Sequence, residues 1–135
     1  MTAALRIAGI GCVLACAVVM PASGDGPQLS MLRQLEAGAW EISHRPPGKG
    51  TERICLKDGT DLIQLRHRRP NCERRVLEDS PTGVAVQYTC RGYGYGLTRI
   101  RRETDRLVQI DSQGVANNLP FSFSAEGRHT GACTS

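Results

Sequence analysis

A chain of 135 residues is long enough for one domain with one modest core. Its 17 basic and 13 acidic side chains give a formal net charge of +4, too mild a surplus to call for nucleic acid as a partner. The longest uncharged apolar run, residues 7–20, has 14 positions, short of the roughly 18 that argue for a membrane-spanning helix.

That run follows Arg6 and ends at Pro21, with the small residues Ala22-Ser23-Gly24 behind it. A positive start, an apolar middle and a small-residue end are the three parts of a cleavable export signal. Residues 1–24 are read as that signal, and 25–135 as a single domain. Val13-Leu14-Ala15-Cys16 also resembles a bacterial lipoprotein signal, in which Cys16 would carry the lipid anchor. Leu14, where a small residue is usual, and the apolar residues beyond Cys16 favour simple cleavage. Losing Arg6 with the leader leaves a domain of 111 residues with a net charge of +3.

In chain order, Leu29, Leu32 and Leu35 recur every three residues between Pro27 and Gly38, predicting a short helix that covers a sheet. At Trp40 the period changes to two. Trp40 and Ile42 alternate with Glu41 and Ser43, the pattern of a half-buried strand. Residues 44–50 hold two prolines and two glycines and read as a turn. Thr51–Lys57 reads as a second strand, and Thr60–Leu65 as a short helix capped by Asp58 or Thr60. Residues 72–91 form the clearest hairpin, turning at Ser80-Pro81-Thr82-Gly83. Gly92-Tyr93-Gly94-Tyr95-Gly96 is too rich in glycine for a strand interior and reads as a flexible bend. Leu97–Glu103 and Leu107–Asp111 read as strands turning at Thr104-Asp105-Arg106. Residues 113–120 read as loop, and Phe121–Ser124 as the last clear strand. The fold class is all-β: an antiparallel meander of six or seven strands, as a curved sheet or partly closed barrel with one or two short helices.

Four cysteines remain in the domain: Cys55, Cys72, Cys90 and Cys133. An even count in a small exported domain reads as two disulfides. No Cys-x-x-Cys pair suggests redox or zinc chemistry. Pairing Cys55 with Cys72 and Cys90 with Cys133, which would tie the helix-containing connection and staple the C-terminus, is the first choice. Counting outward from the Ser80–Gly83 turn instead sets Cys72 beside Cys90, leaving Cys55 for Cys133.

Ala37-Gly38 before Trp40-Glu41-Ile42, then Ile54-Cys55-Leu56, Asn71-Cys72, Tyr88-Thr89-Cys90 and the terminal Gly131-Ala132-Cys133 occur in an order that resembles domain-of-unknown-function family 3617, small exported proteins of proteobacteria. The resemblance covers nearly all of the domain. It implies an exported β-rich domain and brings no catalytic residues to carry over.

The basic run Arg66-His67-Arg68-Arg69 and the strand arginines Arg99 and Arg101 are the candidate anion-binding residues, since a guanidinium fork grips oxyanions bidentately. A solvated edge that discourages aggregation is the competing reading. His44, His67 and His129 are scattered without an i, i+4 pair, so surface positions and no metal site are expected for them. No Gly-x-Ser-x-Gly or phosphate loop occurs. The expectation is therefore a non-enzymatic, periplasmic or secreted envelope protein, without cofactor, that binds an anionic or apolar ligand on its curved sheet. Anionic envelope material is the candidate partner. The alternatives are a purely structural or stress-related component, or a hydrolase assembled from distant residues such as His67, Asp111 and His129.

Overall fold

The computed structural model describes residues 28–134, so the leader over residues 1–24 and the lipidation alternative at Cys16 lie outside the described residues. The strands are β1 (Gly38–Arg45), β2 (Thr51–Leu56), β3 (Glu73–Asp79), β4 (Gly83–Cys90), β5 (Gly94–Thr104), β6 (Leu107–Ala116) and β7 (Leu119–Gly131). They form one antiparallel sheet in the order β2-β1-β7-β6-β5-β4-β3. The sheet is open, with β2 and β3 as its edges. It is therefore a curved sheet and not a closed barrel.

Period-two alternation sorts the side chains onto two faces. Trp40, Ile42, Val84, Val86, Ile100, Val108, Ile110 and Ala125 are buried on one face. Their neighbours Arg99, Arg101, Asp111 and Gln113 are exposed on the other. The buried face is covered by the one-turn helix α1 (Ser30–Arg33), through Met31 and Leu32, and by a 3-10 helix (Gly59–Gln64), through Leu62 and Ile63. All three leucines of the predicted first helix are buried, yet only one turn is helical. Leu29 turns left-handed at φ 61°, and its N–H donates to the Asp79 carboxylate at 2.8 Å. The second helix starts where expected: the Asp58 carboxylate accepts from the Thr60 N–H at 2.7 Å.

Three expectations are corrected. The glycine-rich segment is a strand from Gly94 onward, because Gly94 and Gly96 leave room for what lies on them. A Cβ at Gly96 would sit 2.5 Å from the Tyr88 hydroxyl, and one at Gly94 would sit 1.9 Å from the Val115 carbonyl oxygen. The predicted loop 113–120 is a tight hairpin around Asn117 and Asn118, both at positive φ, so β6 and β7 run longer than their sequence pattern suggests. The disulfides are Cys72–Cys90, with Cα atoms 4.4 Å apart, and Cys55–Cys133, at 5.7 Å, and not the Cys55–Cys72 and Cys90–Cys133 pairing preferred from sequence. The reason is the hairpin register: Glu73 faces Thr89, so Cys72 and Cys90 come next, side by side.

Candidate anion-binding cleft

Residues 57–72 join the two edge strands of the sheet, so this link must pass from one edge to the other. It does so on the covered face and wraps around Gln64. The Gln64 amide donates to the carbonyls of His67 (3.1 Å) and Arg69 (3.3 Å), and its oxygen accepts from Arg74 Nε at 2.6 Å. One buried side chain thus holds the basic run in place and ties it to β3.

His67 lies under this wrap, only 5% exposed, and the surface position expected for it is corrected. Its Nδ1 is 2.9 Å from the Tyr88 hydroxyl and its Nε2 is 3.2 Å from the Tyr93 carbonyl oxygen. A neutral ring protonated at Nε2 donates to that carbonyl and accepts from the phenol, so both nitrogens are satisfied. Burial pushes the Tyr88 phenol up to about 12, while the nearby Arg66 charge pulls in the other direction.

Between the link and β2 opens a cleft of about 600 Å³. Arg53, Arg68, Arg69 and Arg74 line it against a single carboxylate, Asp61, over an apolar floor of Ile54, Leu56 and Leu65. The Asp61 carboxylate already accepts from the Lys57 N–H at 3.1 Å. Arg68 reaches Glu52 on β2 at 2.9 Å, and Arg53 lies 3.7 Å from Glu41. Arg69 and Arg74 form no ion pair among the described residues. Arg69 instead lies over the Tyr93 ring, 3.4 Å from its centroid, and Arg74 is held by Gln64. Both guanidinium groups are positioned with no carboxylate at ion-pair distance among the described residues, although Arg74 is near enough to Asp58 to favour its charged form.

The five sequence candidates therefore divide. Arg68 and Arg69 line the cleft. Arg66 does not line it and lies over the Phe121 ring at 5.9 Å. Arg99 and Arg101 lie on the opposite face of the sheet, beside Glu78 (3.6 Å) and Glu103 (3.4 Å). Arg53, Gln64 and Arg74 complete the cleft. No sequence signal sets Arg53 beside Arg74, because β2 and β3 meet only through the link. The three residues of the hydrolase alternative stay apart. Asp111 accepts from the Ser124 hydroxyl, while His129 contacts the Ala37 carbonyl oxygen (3.2 Å) and the Glu36 carboxylate (3.5 Å). No three His, Cys, Asp or Glu side chains gather to hold a metal ion among the described residues.

An open antiparallel sheet stapled by two disulfides belongs to an oxidising, non-cytoplasmic compartment. Among the described residues no helix is long and apolar enough to cross a membrane. No protein-family model, curated protein or solved structure matches the chain.

Proposed function

We propose that this chain is an exported, non-enzymatic envelope protein, periplasmic or secreted and related to domain-of-unknown-function family 3617, that binds anionic ligands in the arginine-lined cleft. The observation that carries this reading is the state of Arg69 and Arg74. Each is held in place, by Tyr93 and by Gln64, and neither has a carboxylate partner among the described residues. Arginines positioned beforehand lose little conformational freedom when an oxyanion arrives, and their planar forks donate to it bidentately. The apolar floor gives the rest of such a ligand a surface to rest on.

The test is a titration of the purified, disulfide-bonded protein with inorganic pyrophosphate, followed through the arginine Nε–Hε resonances. Shifts concentrated on Arg68, Arg69 and Arg74, shrinking as salt is raised, support the reading, because exposed charges are screened over about 8–10 Å near physiological ionic strength. Shifts spread equally to Arg99 and Arg101, or none at low salt, would leave the arginines as a solvated surface and favour the purely structural alternative. Export is checked separately. The mature protein recovered from the envelope should have the intact mass of a chain starting near Asp25, whereas a lipid-modified Cys16 would establish the anchored alternative.

A further inference from the structure

We propose that the ligand of this cleft is an extended acidic peptide segment, which adds to the free edge of β2 as a further strand; this rests on the anion-binding reading above. The cleft is lined by four consecutive residues, Arg53, Ile54, Cys55 and Leu56. Side chains of a strand point alternately to opposite faces, so a cleft that touches four in a row meets the strand along its edge. A second hollow reaches Arg53, Ile54 and Cys55 from the other side, next to Ala132 and Cys133. The edge of β2 is thus open from both faces.

An open edge presents unpaired backbone N–H and C=O groups, a ready template for another strand. On β2 these groups have no hydrogen-bond partner outside the pairing with β1 among the described residues. The two edges of the sheet differ in how they are guarded. At β3 the register is broken by a bulge between Val76 and Glu78, and five of its seven residues are both exposed and charged, two devices that discourage pairing. At β2 the register with β1 is uninterrupted from Thr51 to Leu56, with no proline. Its inward residue Ile54, only half-buried beside the cleft, offers apolar contact to a side chain of an added strand.

Charge selects the occupant. Arg68 and Arg53 already lie beside Glu52 and Glu41, which leaves Arg69 and Arg74 in the cleft without an ion pair among the described residues, against one lining aspartate, Asp61. A second copy of this chain pairing β2 to β2 would bring Arg53 and these neighbours toward their own equivalents, like charges that repel. A peptide with Glu or Asp at alternate positions would set its carboxylates toward the arginines and its backbone on the strand edge.

The test uses the disulfide-bonded protein and the capped peptide Glu-Val-Glu-Val-Glu-Val. Two controls have the same sequence and charge with backbone amides N-methylated at the odd or at the even positions. The unmodified peptide should bind and should slow hydrogen exchange in β2. One of the methylated peptides should bind about tenfold more weakly, the loss expected for two backbone hydrogen bonds of ordinary net strength. The Arg69→Ser variant, at an exposed side chain that rests only on the Tyr93 ring, should bind all three more weakly, while keeping its thermal midpoint. Equal binding of all three peptides would overturn strand addition. Binding of pyrophosphate without binding of any peptide would overturn it too, leaving the anion-binding cleft standing. Failure of both ligands would remove both readings. A concentration-dependent dimer that protects β2 would overturn the proposal by giving the edge a different occupant.

Discussion

Trp40 is fully buried in the sheet, and its indole N–H donates to the Glu36 carbonyl oxygen at 2.8 Å. Trp40→Ala removes that bond and leaves a large hole, so it should cost roughly 3–5 kcal/mol in denaturant unfolding. Gln64 matters for a different reason. It is small and polar, but it satisfies two link carbonyls and Arg74 at once. Gln64→Leu should destabilise by roughly 2–3 kcal/mol, because the buried carbonyls lose their donor, and it should weaken anion binding beyond that by freeing Arg74. Tyr88 gives a signal that can be read directly. Its neutral form is favoured in the fold, so its contribution is full below the ordinary phenol value of about 10 and is lost as pH rises through about 12. In a phenolate absorbance titration of the three tyrosines, one should ionise late and together with unfolding. Nothing in the local sequence marks Gln64 or His67 as special, since their roles depend on groups up to 26 positions away.

Single elements show where local pattern suffices. The 3-10 helix begins at Asp58 as its sequence suggests, because a capping carboxylate needs only the N–H two residues on. Burial raises the affinity of that carboxyl for its proton. The hydrogen bonds with Thr60 and the charges of Arg33 and Arg74 outweigh it and hold the group below its usual value. The cap therefore contributes fully above the ordinary carboxylate range and is lost as pH falls through the lowered value. Asp58→Ala should cost about 1 kcal/mol at neutral pH, and the difference from the parent protein should vanish in acid unfolding curves. Strand β5 is the opposite case. Its first residues read as a bend because glycine favours bends, yet the glycines are there for close approach. Gly94→Ala would place a Cβ against the Val115 carbonyl oxygen at a φ of +130° that only glycine adopts easily. It should cost roughly 2–4 kcal/mol, seen as a lowered thermal midpoint with early loss of the β5–β6 pairing in hydrogen exchange.

For the molecule as a whole, the two disulfides carry different loads. Cys72–Cys90 closes a separation of 18 residues within one hairpin, whereas Cys55–Cys133 closes 78 and anchors the C-terminal end to the edge strand β2. In the chain-entropy account, the short loop contributes about 3 kcal/mol and the long one about 4.5 kcal/mol. The Cys55→Ser/Cys133→Ser variant should therefore unfold at lower denaturant than Cys72→Ser/Cys90→Ser. The reverse order would show that the crowded hairpin bridge matters more than the loop it closes.

The sequence by itself determined the all-β class, the turns at Ser80–Gly83 and Thr104–Arg106, the burial of Trp40 and the presence of cross-linking cysteines. Each follows from period-two alternation, turn chemistry or a count, which are properties of neighbours along the chain. Counting from the Ser80–Gly83 turn also set Cys72 beside Cys90, and the structure selected that pairing over the alternative. Tertiary structure decided which glycines serve packing and where the arginines go. Arg68 and Arg99 look alike in the sequence, but one lies on the link that crosses the covered face and the other on the opposite side of β5. That difference arises only when β7 returns to pair with β1 and leaves β2 and β3 as the edges that residues 57–72 must join. Contacts so distant along the chain are set by how the faces pack, and no local pattern encodes them.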